Sequence, residues 1–219
     1  LAVLAEKAGI PKGVLNILPT SKPVIAGDFF CAHKNIQKIS FTGSTKTGKY
    51  LMEKGAATLK KLSLELGGNA PFIVFDDADV DAAVKGAILS KYRNAGQTCV
   101  CTNRFLIHAN ILDAFNEKLA LEVNKMKVGN GFLDDTQIGP LINEAAIKKV
   151  NYLLNEAIEK GAKIFYSKNT SVDSTVISPI ILTQVTPDMA LTKEEIFGPI
   201  SAISSFSTEE EAISIANNT

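Results

Sequence analysis

A chain of 219 residues can build one large domain or two modest ones. It is 46% hydrophobic and 21% charged, with 23 basic residues against 23 acidic, and the zero net charge argues against nucleic-acid binding, which rests on an excess of Lys and Arg. The longest apolar runs, such as Pro71–Phe75 and Val176–Leu182, are far too short to span a bilayer.

In chain order, helix and strand patterns alternate. Leu1, Leu4, Ala5 and Ala8 fall on one helical face that stops at Gly9, with Pro11 beyond. Val14–Leu18 reads as a strand, Val24–Ala32 as a short helix and Ile36–Phe41 as a strand. Thr42-Gly43-Ser44-Thr45 then leads into a helix to about Lys54. Leu62, Leu64 and Leu66 alternate on one face of the next strand. This rhythm predicts a mostly parallel sheet covered by helices, an α/β fold.

Gly67-Gly68-Asn69 breaks the pattern, and a domain boundary is predicted there, with residues 1–66 on one side and 67–219 on the other. Phe72–Phe75 reads as a buried parallel strand. Asp79 can cap a helix with Val80, Ala83, Val84, Ala87 and Ile88 inward, running to about Asn94 and ending at Gly96. A strand at Phe105–His108 and a helical stripe of Leu112, Phe115, Leu119, Val123 and Met126 follow. Asn143 can cap a helix with Ile147, Val150, Leu154, Ala157 and Ile158 inward. Ile164–Tyr166, Ile177–Leu182 and Ile200–Phe206 are strand candidates. Ser207 or Thr208 opens a last helix, with Glu210 or Glu211 completing a capping box.

Three cysteines, at 31, 99 and 101, are an odd number, which favours free thiols in a reducing compartment: the cytoplasm, or the mitochondrial matrix in a eukaryote. With no initiator Met and a helical pattern already under way at Leu1, the sequence reads as a piece of a longer protein. Cys99 lies in Arg93-Asn94-Ala95-Gly96-Gln97-Thr98-Cys99-Val100-Cys101, a Gly-containing loop between a helix and a strand, which suits a nucleophile on a scaffold-held loop. Most free cysteines are instead small buried hydrophobes. The two histidines, His33 and His108, lie in no protease signature and read as surface or capping residues, and no metal-ligand spacing is present. Glu65, on a half-buried strand beside Gly67-Gly68, suits a general base or a plain surface carboxylate. Phe41–Lys49 is a strand, a turn with glycine and hydroxyls, and a helix start, whose N–H groups can bind a dinucleotide phosphate or be capped by Ser44.

These segments resemble the aldehyde dehydrogenases in wording and order. Phe41–Gly48 resembles that family's F-T-G-S-T-x-x-G loop, Glu65-Leu66-Gly67-Gly68 its glutamate box, Gly96–Cys99 its cysteine box, and Glu194–Pro199 its E-E-I-F-G-P segment. Ala8–Asn16 also fits, so the likeness covers essentially the whole chain. Arg93–Cys101 with Thr102-Asn103-Arg104, together with Val128–Gly131 and Gly139–Asn143, is similar to the branch acting on succinate semialdehyde.

The resemblance implies part of a Rossmann-type cofactor domain in 1–66 and most of an α/β catalytic domain in 67–219. It implies NAD or NADP as cofactor, a small aldehyde as substrate, no nucleic-acid or membrane partner, and a dimer or tetramer of the whole protein. By the same resemblance Cys99 is the nucleophile, with its own backbone N–H helping to hold the oxyanion. Glu65 activates water, and Gly43, Ser44, Glu65, Leu66, Glu195 and Phe197 contact the cofactor. Arg93 binds the substrate carboxylate, Cys101 is a redox partner of Cys99, and no metal is used. Other semialdehydes, glutarate semialdehyde among them, are alternative substrates. A cysteine hydrolase or acyl-transfer enzyme and a non-catalytic binding protein are the readings outside redox chemistry. The family's other oxyanion donor, an Asn, and a cofactor-contacting Lys have no counterpart in this stretch, and because the cofactor sheet implied by the resemblance is incomplete in it, the 219 residues alone are expected to be inactive.

Overall fold

The computed structural model describes residues 1–168 and 175–219. They divide into two compact units, Leu1–Leu66 and Gly67–Thr219.

The first unit contains α1 (Ala2–Lys7), α2 (Pro23–Ala32), β1 (Lys38–Gly43), α3 (Thr45–Ala56) and β2 (Lys61–Leu66). Gly9, at φ 84°, turns the chain out of α1, and Pro23 sits in the first turn of α2, where a missing N–H costs nothing. β1 and β2 pair in parallel, with Thr42 opposite Glu65 and Gly43 opposite Leu66. The expected strand at Val14–Leu18 is absent. Its apolar residues are exposed and no described strand offers them a ladder, so strand propensity alone does not fix the segment.

The second unit is built on a five-stranded sheet. Its elements are β3 (Pro71–Val74), α4 (Val80–Lys91), β4 (Arg104–His108), α5 (Leu112–Lys125), α6 (Glu144–Glu159), β5 (Lys163–Ser167), β6 (Ile180–Thr183), β7 (Ile200–Phe206) and α7 (Glu209–Asn217). The strand order is β3-β4-β7-β6-β5, parallel except for β5, which runs antiparallel along the edge. Central strand β4 alternates between two cores, as a pleated strand must. Phe105 and Ile107 join the main cluster with α4, α5 and α6, whereas Leu106 joins Phe206 and Ala212 under α7. The ring of Phe105 meets those of Phe72 and Phe115 at 5.5 and 6.3 Å.

Side-chain caps start the helices as their sequences imply. Asp79 accepts from the N–H groups of Asp81 and Ala82, Asn143 from Ala146, and Thr208 from Glu211. Glu211 in turn accepts from the Ser207 N–H at 2.8 Å, one residue before the usual capping-box partner. Two expectations fail. Ile158 is exposed on α6 and Leu153 fills the inward place, because the buried face follows Val150, Leu153 and Ala157. Helix α4 ends at Lys91 rather than near Asn94, because Asn94 and Ala95 take left-handed backbone angles, which no right-handed helix admits.

Candidate active site

The turn after α4 is what presents Cys99. Tyr92 is sealed in the core with its hydroxyl 2.7 Å from Ser201 Oγ, and burial pushes that hydroxyl well above its ordinary pKa. Asn94, Ala95 and Gly96 then follow with φ of 52°, 54° and 77°. Left-handed backbone costs a non-glycine residue about 1–2 kcal/mol, so this turn persists only because its surroundings hold it. Ala95 is buried. Gln97 bridges outward, donating to the carbonyls of Asn94 (3.2 Å) and Pro140 (3.4 Å) and accepting from the Ile142 N–H (2.9 Å). On the far side Thr102 pairs with Ser90 through both backbone and hydroxyl.

Between these supports Cys99 lies exposed at the apex, and all three cysteines are free thiols. Cys101 is buried, its sulfur 2.9 Å from Thr98 Oγ1 and 3.6 Å from the Lys91 carbonyl. Arg93 is exposed at the start of the turn and enters none of the ion pairs among the described residues. Cys31 is buried in the first unit against the Leu51 carbonyl.

The Glu194–Pro199 loop packs against this turn. A Cβ on Gly96 would stand 2.3 Å from the Gly198 carbonyl oxygen, so glycine is required there by space as well as by its positive φ. Ile196 anchors the loop in the core, and Phe197 beside it is held at φ 52°. The Glu195 carboxylate lies against Gly67, where a Cβ would fall 2.2 Å from Oε2. Its Oε1 is buried with no partner among the described residues. Burial raises the pKa of Glu195, opposed by Lys149, the Gly68 N–H and Lys91. Lys91 is itself wholly buried with an unpaired Nζ, and burial lowers its pKa to about 8 against the pull of Cys101 and Glu195.

Two asparagines tie the same region together. Asn103 donates to the Gly68 carbonyl at 3.0 Å and accepts from the Ile196 N–H at 2.8 Å. Asn69 donates to the Leu191 and Glu194 carbonyls, and its own carbonyl accepts from Arg104.

In the first unit, the β1–β2 ladder gathers Gly43, Ser44, Glu65 and Leu66 at the carboxyl ends of two parallel strands, the end where α/β sheets bind ligands. Ser44 caps α3, accepting from the Thr47 N–H at 3.3 Å, and the methyls of Leu66 occupy the space a side chain on Gly48 would need. Strand β2 is half-buried, and Glu65 itself is exposed on it. Alongside lies a mostly apolar groove lined by Pro23, Val24, Phe30, Thr47, Tyr50 and Leu51. The lining of this groove fits a flat aromatic ring, and in the second unit the orphaned Glu195 oxygen suits a ribose hydroxyl, so each unit by itself fits a part of a dinucleotide. Among the described residues no cluster of His, Cys, Asp or Glu could hold a metal ion, and no helix is long and apolar enough to cross a membrane.

The structure thus gathers the expected residues into two groups, one in each unit. Asn103, Gln97, Lys91 and the groove went unread in the sequence. Asn103 had one signal, an amide between the cysteine loop and a strand; Lys91 looked like an ordinary last-turn Lys.

The aldehyde dehydrogenase family model matches residues 1–219. The chain belongs to the aldehyde dehydrogenase family. It is 51% identical over its whole length to the mitochondrial succinate-semialdehyde dehydrogenase of Arabidopsis thaliana, and 48% identical to the glutarate-semialdehyde dehydrogenase of Pseudomonas putida. It spans 41% and 45% of those two relatives. The crystal structure of succinate-semialdehyde dehydrogenase from Burkholderia pseudomallei superposes on 99% of this chain with a TM-score of 0.96, at 52% identity, and 45% of that chain is covered. The fold is therefore that of the aldehyde dehydrogenases, as the motifs led one to expect.

Proposed function

We propose that this chain forms the cysteine-bearing part of an enzyme that oxidises succinate semialdehyde to succinate with NAD or NADP. One observation carries the redox reading over a hydrolase. The exposed Cys99 loop is wedged through Gly96 against the loop bearing Glu195 and Phe197, whose buried, unpaired carboxylate oxygen suits a cofactor hydroxyl.

In this reading residues 1–66 are the end of the cofactor domain and 67–219 the catalytic domain. Gly43 and Ser44 would approach the pyrophosphate, and Glu65 and Leu66 would also contact the cofactor. Glu195 would hydrogen-bond the nicotinamide ribose, and Phe197 would pack near the nicotinamide. The Cys99 thiolate attacks the aldehyde carbon, and the oxygen of the resulting thiohemiacetal accepts from the Cys99 backbone N–H. NAD or NADP, when bound, would supply the hydride acceptor needed for oxidation of the thiohemiacetal to a thioester. Glu65 takes a proton from the water that attacks the thioester, and the Cys99 sulfur leaves as thiolate with release of the acid.

Arg93 selects the substrate by pairing with its remote carboxylate. Its backbone is anchored between sealed Tyr92 and the left-handed turn, and its guanidinium is exposed. In this reading Cys101 is the redox partner of Cys99: the two thiols give up two electrons and two protons to a peroxide, which is reduced, and form a disulfide once the Cys101 sulfur has left its contact with Thr98.

The test uses the whole protein. Succinate semialdehyde should drive formation of the reduced cofactor from NAD or NADP, followed by its near-ultraviolet absorbance. Acid release without cofactor reduction would leave the hydrolase reading instead. Arg93→Ala should raise KM for succinate semialdehyde far more than for a neutral aldehyde of similar length, and equal losses on both would refute the arginine's role. The Pseudomonas putida relative supports glutarate semialdehyde as a second substrate, to be compared by kcat/KM.

A further inference from the structure

We infer that Asn103 is a positioning residue that locks the Glu195–Phe197 loop in the posture that receives the cofactor. The inference rests on the proposed dehydrogenase reading and concerns a residue to which that reading gives no role.

Asn103 is buried, and its side-chain amide is used twice. Nδ2 donates to the Gly68 carbonyl at 3.0 Å and Oδ1 accepts from the Ile196 N–H at 2.8 Å. One amide therefore staples the Gly67-Gly68 segment to the residue lying between Glu195 and Phe197. Both ends of this staple bear on the cofactor side. Gly67 forms the surface against which the Glu195 carboxylate rests. Ile196 precedes Phe197, whose left-handed backbone is unfavourable and must be imposed from outside. The buried Ile196 side chain and the bond from Asn69 to the Glu194 carbonyl supply two restraints, and the Asn103 bond, the one made to the residue next to Phe197, supplies a third.

The cysteine loop does not depend on this amide to the same degree. It keeps Gln97 on one side, the Ser90–Thr102 pair on the other and the Thr98–Cys101 contact within it. Asn103 itself is held by its backbone N–H, which donates to the Ala70 carbonyl whatever its side chain. Loss of the amide should accordingly loosen Glu195 and Phe197 while Cys99 stays poised.

The experiment compares the whole wild-type protein with Asn103→Ala by three readouts. These are KM for NAD or NADP, binding of the oxidised cofactor by calorimetry, and hydrolysis of an activated ester at Cys99 without cofactor. Expected for Asn103→Ala is a rise in KM and in the cofactor Kd of roughly ten- to hundredfold, the range that loss of buried hydrogen bonds produces. Ester hydrolysis should stay within about twofold, since the supports of the cysteine loop remain. Asn103→Asp keeps an acceptor for the Ile196 N–H and should recover part of the cofactor affinity. Should the alanine variant fail to fold, the aspartate variant is read by the same criteria. Unchanged cofactor affinity, or ester hydrolysis falling in step with it, would overturn the inference alone. A wild-type protein that neither binds nor reduces the cofactor would remove the dehydrogenase reading and this inference with it.

Discussion

The two units handle apolar surface in opposite ways. In Gly67–Thr219, strands β4, β6 and β7 are almost wholly buried, and one continuous cluster runs from α4 through α6. In Leu1–Leu66 the sheet has two strands, only Cys31, Gly48, Leu51 and Gly55 are buried, and Val14, Leu18, Val24 and Ile25 are exposed. A two-stranded sheet leaves most of its apolar area in water, whereas five strands covered by helices do not. The proposed nucleophile therefore stands on the unit whose packing holds Asn94, Ala95 and Gly96 in succession at positive φ, and the proposed base on the unit with few buried residues.

Cutting the chain tests that contrast most severely. Residues 67–219 expressed alone should unfold in one sigmoidal thermal transition by circular dichroism, and residues 1–66 alone should show none. A cooperative melt from the shorter piece would break the comparison.

Chemistry sharpens it next. In the whole protein, Cys99→Ala should abolish both ester hydrolysis and cofactor reduction. Glu65→Gln should lower kcat by about 10²–10⁴ while leaving a burst of reduced cofactor in stopped flow, because only release of the acyl group needs the base. A vanished burst would move Glu65 to an earlier step.

Packing differs as strongly. Phe115→Ala, at a fully buried position, should cost about 3–5 kcal/mol in denaturant unfolding. In the 219-residue chain by itself, Leu18→Ala, on the exposed segment, should stay within about 0.5 kcal/mol.

A subtler effect is a pH slope within the second unit. Lys91 has its pKa lowered from 10.5 to about 8 by burial. Below pH 8 it is charged both folded and unfolded, and the full cost of burying the ammonium is present. Between pH 8 and 10.5 the unfolded chain holds the extra proton, so stability should rise with pH, by up to about 3 kcal/mol. Lys91→Met should flatten that rise and be the more stable form at neutral pH, as read from urea melts at several pH values.

Much of this was legible in the sequence because the signals were local. Asp79, Asn143 and Thr208 each cap the helix their sequence announced. The four motifs stand in the turns and strand ends expected of them. What escaped depends on tertiary context. Val14–Leu18 has strand composition but no neighbour to pair with. The helical pattern runs on through Asn94 and Ala95, and it is the packing of Ala95 and Gly96 that turns them aside. Burial of Lys91 and the two hydrogen bonds of Asn103 arise from partners far along the chain, Glu195 and Ile196 among them, beyond any periodicity.

The unequal exposure of the three sulfurs makes the molecule its own gauge of integrity. A bulky maleimide added to intact material should couple once, at Cys99, and two further equivalents should enter only as the cores around Cys31 and Cys101 come apart. Counting attached labels by mass would then report how much of a preparation is correctly folded, without any substrate at hand.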